Sequence, residues 1–222
     1  MARADYRTDL PPDQRLRLDP KQRRKELPRR FFLRDTAEVA RDLIGVWFAR
    51  RYENSWYGAR IVETEAYLGA VDAAAHTYGG RRTARVEPMY KEGGHLYVFL
   101  VYGMYHCANV VTQPAGIGQA VLLRAAQGPP GMPPKLLSGP GRLCAGLGVT
   151  VAFSGTDLLA GGDLCLFQRT GPPPSIAVSA RIGVDYAGEA KDWPLRFYDS
   201  DSLAVSKVQG PKSKVQGQKA KP

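Results

Sequence analysis

The middle of the chain carries five runs that are rich in β-branched and aromatic residues. They are VWFARRY (46–52), ARIVETEAYL (59–68), HLYVFLVYG (95–103), CANVVTQ (107–113) and AVLLRAA (120–126). Residues of these types favour strands, so each run predicts a strand. GDLCLFQR (162–169) and IAVSARIGV (176–184) predict further strands, and GPPGMPP and GPPPS are expected loops. Strands in the middle with helices at the edges indicate a mixed α/β or α+β fold with a largely antiparallel sheet.

Two segments favour helices. TAEVARDLIGVWFAR (36–50) has helical apolar spacing after a cap at Asp35 or Thr36, and SGPGRLCAGLGV (138–149) predicts a Gly-Pro turn that leads into a short helix. Residues 1–30 are dense in Arg, Lys, Asp and Pro, so we expect a basic flexible arm there. Residues 31–205 are expected to form one catalytic domain, and 206–222, which repeats SKVQG, a Lys-rich flexible tail.

The net charge restricts the partners of the chain. The 222 residues include 31 Lys and Arg against 21 Asp and Glu, a formal charge of +10. Such a surplus favours a polyanion such as DNA, RNA or an anionic membrane surface, or is simply a basic surface. Three widely spaced cysteines suit a reducing compartment. The N-terminus has no secretory apolar region, and no run approaches the roughly 20 apolar residues of a membrane span, so we expect an intracellular protein without a membrane partner.

The segment IVETEAYLG (61–69) places two carboxylates one residue apart. On a regular strand Ile61, Glu63, Glu65 and Tyr67 share one face, which puts the carboxylates about 7 Å apart. Three interpretations remain open: a glycosidase pair, a metal site that includes Asp72 or His76, and one catalytic glutamate beside a structural ion pair. The metal set matches no recognised spacing. A single carboxylate in a partly dry pocket is well suited to activating water.

The next segment, LYVFLVYGMYHCAN (96–109), is aromatic. Tyr97 and Phe99 share a strand face, and Tyr102 and Tyr105 flank Gly103 at an expected turn. Packing in the core is the default for such residues. In a basic protein they also suit a pocket in which a nucleobase stacks. The loop GGRRTAR (79–85) is suited to phosphate contacts or is an exposed basic loop.

Several motifs together resemble those of the alkyladenine (3-methyladenine) DNA glycosylase family, in its bacterial form. RIVETEAYLG, AAHTYGGRRTAR, LYVFLVYGMYHCANVV, AVLLRA, SGPGRLC, ARIGV and PLRFY occur in family order between residues 31 and 198. The resemblance implies a single mixed α/β domain around a curved antiparallel sheet, similar to the C-terminal domain of methionyl-tRNA formyltransferases. It implies a monofunctional DNA glycosylase that flips alkylated or deaminated purines out of duplex DNA and starts base excision repair.

The resemblance also implies residue roles in chemistry and base binding. Glu65 would be the general base that activates water, and Arg124 would help position that water. The substrate-binding side chains would be Tyr67 and Phe99, which stack on the base, His76, which hydrogen-bonds to the lesion or its sugar-phosphate, and Asn109, which crowds the exocyclic amine of a normal guanine.

Five more residues are expected to contact DNA. By resemblance, Tyr102 would intercalate in place of the flipped nucleotide, and Met89 would wedge the minor groove. Tyr105, Arg81 and Arg82 are expected to bind DNA as well. Position 99 is Phe where the mammalian pattern has Tyr, which removes a hydroxyl contact.

The remaining expectations follow from the same resemblance. No metal or organic cofactor is implied, and no lysine in the motifs suggests a Schiff-base nucleophile. The expected partner is double-stranded DNA that contains damaged purines, bound by a monomer in the bacterial cytoplasm, or in the nucleus if the source is eukaryotic. A non-catalytic damaged-DNA-binding module and a metal-dependent hydrolase that uses Glu63, Glu65 and His76 remain as alternatives.

Overall fold

One antiparallel sheet dominates the molecule. The computed structural model describes residues 11–19 and 25–206, and within these ranges nine strands join in one sheet. The strands are β1 Trp47–Tyr52, β2 Ser55–Tyr67, β3 Leu96–Val101, β4 Tyr105–Thr112, β5 Gln119–Gln127, β6 Leu137–Ser138, β7 Leu164–Phe167, β8 Ile176–Ser179 and β9 Arg196–Asp199. All their pairings are antiparallel. The mixed α/β class and each predicted strand are confirmed, whereas the likeness to the formyltransferase domain stays a prediction.

The described ranges contain three short α-helices. They are α1 Arg29–Phe32, α2 Thr36–Asp42 and α3 Pro140–Leu147. A carboxylate oxygen of Asp35 accepts hydrogen bonds from the N–H groups of Ala37 and Glu38, so the predicted cap of α2 is confirmed. α2 ends early because Gly45, at φ 91°, turns the chain into β1. None of these helices is long and apolar enough to cross a membrane.

The long strand β2 lies at the centre of the sheet and carries both glutamates. The strand order is β3-β4-β5-β2-β1-β7, with β6 beside β5. Residues 55–60 of β2 pair with β1, and residues 63–65 pair with β9 on the same edge, while β5 covers the other edge. Glu63 and Glu65 are therefore flanked by strands on both sides.

A β-bulge in β2 places Ile61 on a different face of the strand from the one predicted. The pairing of β2 with β5 shifts register between Ile61 and Glu63 and again before Thr64. Ile61 consequently packs in the main core beneath α2, on the side where the Thr64 hydroxyl donates to the carbonyl oxygen of Ala40. The prediction that Ile61 shares a face with Glu63 and Glu65 was wrong, because a bulge adds one residue and reverses the alternation.

Part of the N-terminal segment packs against the domain, although a flexible arm was predicted there. Leu16 is fully buried and Leu18 is 5% exposed, and the N–H of Leu18 donates to the carbonyl oxygen of Trp56. Leu27 packs in the core and bonds to Leu166. The apolar leucines bury area that offsets the entropy of ordering the segment. Residues 11–19 and 25–30 are thus part of the domain, and 1–10, 20–24 and 207–222 lie outside the described residues.

Candidate active site

A cavity of about 390 Å³ opens beside the second half of β2. Its walls come from β2, β3, β4 and β5, from the start of α3 and from the segments 74–89 and 182–186. Aromatic and aliphatic side chains form most of the wall, as is usual in sites for small planar ligands. The structure brings to this wall five of the six side chains predicted for chemistry and base binding: Tyr67, His76, Phe99, Asn109 and Arg124.

Glu65 is fully buried and does not itself line the cavity, but the three residues that it contacts do. One of its carboxylate oxygens accepts a hydrogen bond from the N–H of Ile182 (2.8 Å), and the other accepts one from the hydroxyl of Tyr67 (2.9 Å). Arg124 Nη1 lies 3.3 Å from the first oxygen. Burial raises the pKa of Glu65, against the opposing effects of Arg124, the Ile182 N–H and the Tyr67 hydroxyl. A raised pKa makes the carboxylate a stronger base.

Glu63 has a different environment, although it lies on the same strand. It is fully buried and accepts hydrogen bonds from Arg124, Arg196 and Ser206. The structural ion pair of the third interpretation is therefore present, and Glu63 is the glutamate that forms it. The two carboxylates are not an equivalent pair, because Glu63 is held by two guanidinium groups and Glu65 contacts one.

Aromatic rings surround His76 in the wall of the cavity. His76 Nδ1 lies 2.8 Å from the hydroxyl oxygen of Tyr97, and its ring meets that of Phe99 edge-on with centroids 4.5 Å apart. Tyr97 and Phe99 stack at 5.6 Å. Burial, with the charges of Arg85 and Arg81, lowers the pKa of His76 to about 4. The imidazole is therefore neutral at physiological pH.

Asn109 reaches the cavity from the middle of β4. It is buried, and its amide nitrogen donates to the backbone carbonyl oxygens of Tyr97 (3.1 Å) and Cys107 (3.4 Å). Two bonds to the backbone fix the plane of the amide, so its position in the wall is rigid.

The β3–β4 turn presents the exposed aromatic residues at the mouth of the cavity. Tyr102 lines the cavity and is 87% exposed, and Tyr105 is also exposed. Core packing is therefore excluded for Tyr102. Met104 is exposed in the same turn. Met104 was not among the residues predicted to contact DNA, although its place beside Gly103 in the predicted turn was a usable signal.

Met89 is not where the sequence reasoning placed it. Its side chain is 3% exposed and packs with Val86, Tyr97, Val111 and Ala120. A side chain this deeply buried does not reach a DNA groove, so the prediction of a minor-groove wedge was wrong. The short 3₁₀ helix Glu87–Tyr90 turns Met89 inward, where it lines the cavity instead.

Arg81 and Arg82 lie in an exposed loop beside the cavity. Arg82 pairs with Glu87 at 2.6 Å, and its guanidinium lies 4.6 Å from the ring centre of Tyr90. Exposed pairs of this kind contribute little stability, so Arg82 can exchange its partner for another anion at low cost.

A second buried ion pair, between Arg181 and Asp72, lies next to Tyr67, and neither residue of the pair was predicted to form it. Arg181 and Asp72 are fully buried and make two hydrogen bonds to each other. The guanidinium carbon of Arg181 lies 4.8 Å from the ring centre of Tyr67. The quoted ARIGV motif contained Arg181 and Ile182, but its sequence gave no sign of their partners. Tyr186, which is 71% exposed, also lines the cavity.

The residues proposed for the metal alternative do not come together. Asp72 pairs with Arg181 and His76 with Tyr97, away from Glu63. In the part of the chain that the structure describes, no group of three or more His, Cys, Asp or Glu side chains is placed to hold a metal ion. All three cysteines lie among the described residues, where they are buried and form no disulfide.

Comparison with known proteins identifies the class and the family of the chain. The family model described as "Methylpurine-DNA glycosylase (MPG)" matches residues 30–203, which is most of the chain. The chain therefore belongs to the methylpurine-DNA glycosylase family.

Curated relatives agree over nearly their whole length. Proteins named "Putative 3-methyladenine DNA glycosylase" from Desulfitobacterium hafniense, Methanocella arvoryzae and Bdellovibrio bacteriovorus are 44%, 45% and 44% identical to the chain. Each alignment covers 82% of this chain and 98%, 96% and 98% of the respective relative.

Proposed function

We propose that the chain is a monofunctional DNA glycosylase that flips alkylated or deaminated purines out of duplex DNA. It hydrolyses the N-glycosidic bond with a water molecule activated by Glu65, and so starts base excision repair. The observation that carries the proposal is the buried Glu65 carboxylate, which contacts three residues that line an aromatic cavity, Tyr67, Arg124 and Ile182. The names of the relatives support 3-methyladenine as one substrate.

For a purine alkylated at N3 or N7, the proposed chemistry needs one base and no acid. The three described contacts of Glu65 use three of about four acceptor positions of a carboxylate, so a water molecule is able to donate to it. Glu65 takes a proton from this water as the water oxygen attacks the anomeric carbon. The bond from that carbon to the purine breaks as the new bond forms, and its electron pair leaves with the purine. Alkylation at N3 or N7 makes the purine cationic, so the base leaves without being protonated. Arg124, which also lines the cavity, orients the water.

Base recognition is proposed to depend on stacking and on crowding. Phe99 and Tyr67 line the cavity, and the face of an aromatic ring attracts a cationic ring more strongly than a neutral one. His76 is neutral, so it adds no positive charge that would repel a cationic purine. Asn109, fixed by its two backbone bonds, is proposed to crowd the exocyclic amine of a normal guanine.

The proposed DNA contacts lie around the mouth of the cavity. Tyr102 fills the gap that the flipped nucleotide leaves, and Met104 and Tyr105 pack against the neighbouring steps. Arg81 and Arg82 contact phosphates, and the formal charge of +10 supports binding of a polyanion. We propose that one copy of the chain acts on double-stranded DNA in the compartment that holds the genome.

Excision from a defined duplex tests the proposal. The substrate is an oligonucleotide duplex with one deoxyinosine or 1,N6-ethenoadenine. We expect release of the free base and an abasic site that breaks only on later alkali treatment, with or without EDTA. Glu65→Gln is expected to lower the rate about 100-fold or more, because the general base is lost, and to retain lesion binding.

A matched variant controls for loss of negative charge. Glu38 is exposed on α2, away from the cavity, and Glu38→Gln is expected to excise like the unmodified protein. Normal excision by Glu65→Gln would refute the assignment of the base. Intact DNA with retained lesion binding by the unmodified protein would instead support a damaged-DNA-binding module, and turnover lost in EDTA would support a metal-dependent hydrolase.

A further inference from the structure

Four hydrogen bonds converge on the fully buried carboxylate of Glu63. One oxygen accepts from Arg124 Nε at 3.0 Å, from Arg196 Nε at 2.7 Å and from the hydroxyl of Ser206 at 2.8 Å. The other oxygen accepts from the N–H of Ser206 at 2.6 Å. A buried carboxylate with this many donors is fixed in place.

Arg124 connects this carboxylate to Glu65. Its Nε bonds to Glu63, its Nη1 lies 3.3 Å from Glu65, and its Nη2 lies 3.4 Å from the hydroxyl of Ser206. A guanidinium group presents its donors in a rigid plane, so fixing one edge fixes the other. The contact with Glu63 therefore determines where the charge of Arg124 lies relative to Glu65.

The four charged groups balance in pairs. The cluster contains two carboxylates, Glu63 and Glu65, and two guanidinium groups, Arg124 and Arg196. Because Arg196 also pairs with Glu63, Glu63 does not take up the whole charge of Arg124. The charge of Arg124 is therefore shared between Glu63 and Glu65.

The bulge in β2 lets the segment 203–206 contact this cluster. Val62 packs against Ala204, and the next residue, Glu63, bonds to Ser206. Two consecutive residues therefore face the segment 203–206, which a regular strand does not allow. Ser206 is 143 residues further along the chain than Glu63, so this contact joins β2 to a distant segment of the chain.

We propose that Glu63 is a positioning residue that, held by Arg196 and Ser206, fixes Arg124 against Glu65 and so sets the electrostatic environment of the proposed base. The inference rests on the proposed function of Glu65. A purely structural ion pair would hold the strands together without affecting the protonation of its neighbour.

Changes to Arg196 and Glu63 have opposite electrostatic consequences. Glu63 raises the pKa of Glu65 by repulsion, so its neutralisation lowers that pKa and releases Arg124 to pair with Glu65 alone. Neutralisation of Arg196 leaves Glu63 to attract Arg124, which raises the pKa of Glu65. The groups that face Glu65 or act on it from the surrounding elements are Glu63 and Tyr67 on β2, Arg124 on β5, Cys107 on β4, Arg196 on β9, and Arg181, the Ile182 N–H and Tyr186 in the segment that follows β8.

The test is the pH profile of single-turnover excision by the full chain. Glu63→Gln is expected to move the acidic limb of the profile to lower pH and Arg196→Gln to higher pH, each by on the order of one pH unit. The double variant is expected to lie between the two. Arg60→Gln is the matched control, because Arg60 pairs with Asp199 at 3.2 Å on the same sheet and contacts neither glutamate. Its limb is expected to stay in place.

A conservative variant keeps the test decisive if a single variant fails to fold. Ser206→Ala removes one donor to Glu63 without changing any charge, so Glu63 attracts Arg124 more strongly and a smaller shift to higher pH is expected. Limbs that stay in place, or that move in the same direction for Glu63→Gln and Arg196→Gln, would overturn the inference. Inactivity of Glu65→Gln in the same series would then leave the proposed function standing, whereas full activity of that variant would remove both.

Discussion

At the scale of single residues, burial shifts the pKa values of Glu65 and His76 in opposite directions. It raises the pKa of Glu65, because desolvation penalises an anion, and lowers that of His76 to about 4, because desolvation penalises a cation. Both shifts favour the proposed chemistry: Glu65 becomes a stronger base, and His76 stays neutral beside a cationic substrate.

The excision rate is therefore expected to fall in acid through the titration of Glu65. The limb should lie above the ordinary glutamate pKa of about 4.3, because only ionised Glu65 takes a proton from water. Single-turnover rates between pH 4 and 8 measure it. His76→Gln is expected to keep the limb in place, since His76 is neutral over most of this range. A limb near pH 6.5 that disappears in His76→Gln would contradict the assignment.

The same shift of His76 predicts a change in stability with pH. The folded-state pKa is about 4, below the ordinary value near 6.5, so the unfolded chain binds the proton first as the pH falls. The stabilisation is complete above pH 6.5 and is lost as the pH falls towards 4. Thermal unfolding of His76→Gln should thus depend less on pH over this window than that of the unmodified protein.

At the scale of elements, the β3–β4 turn has a strained backbone at an exposed tyrosine. Tyr102 has φ 51° and Gly103 has φ 70°, and the N–H of Met104 donates to the carbonyl oxygen of Val101. A non-glycine residue in this region costs about 1–3 kcal/mol. An 87% exposed side chain does not recover this cost by burial. Strain without packing is typical of a functional position.

Tyr102→Asn is expected to separate stability from function. Asparagine tolerates positive φ better than tyrosine, so the melting temperature should be unchanged or higher. Excision from duplex DNA should fall about 10-fold, because one stacking ring is lost. Val178→Asn on β8, also an exposed apolar position, is the control and should leave excision unchanged. Unaltered excision by Tyr102→Asn would argue against intercalation.

At the scale of the whole molecule, the core extends to the N-terminal segment. Leu16 packs within the main cluster although it lies in a stretch of mostly charged and proline residues. Leu16→Ala is expected to lower the free energy of unfolding by about 2–5 kcal/mol, measured by urea denaturation. Arg17→Ala, next to it with an exposed side chain, should change it by less than about 0.5 kcal/mol. Equal effects of the two variants would contradict a packed N-terminal segment.

Local sequence determined which segments form strands and helices. The β-branched and aromatic runs became β1 to β5, and Asp35 capped α2, because these preferences depend on neighbours a few residues away. The same local view failed at Leu16 and Leu18. Their burial depends on a sheet surface formed by distant residues, and the charged composition around them concealed it.

Most of the candidate site was also predictable from sequence. Tyr67, His76, Phe99, Asn109 and Arg124 all reach one cavity, as the family motifs implied. The prediction that Met89 reaches the minor groove was wrong, because the direction of its side chain depends on the turn of a short 3₁₀ helix. The roles of the site residues in excision remain predictions.

The sequence by itself determined that two glutamates lie on the central strand of a basic, sheet-rich protein. Only the tertiary structure decided that they differ. The donors that surround Glu63 come from β5, β9 and Ser206, while Glu65 receives the N–H of Ile182 and the hydroxyl of Tyr67. The physical reason is that the protonation of a buried carboxylate depends on the charges and donors within a few ångströms, and folding brings most of these from distant parts of the chain.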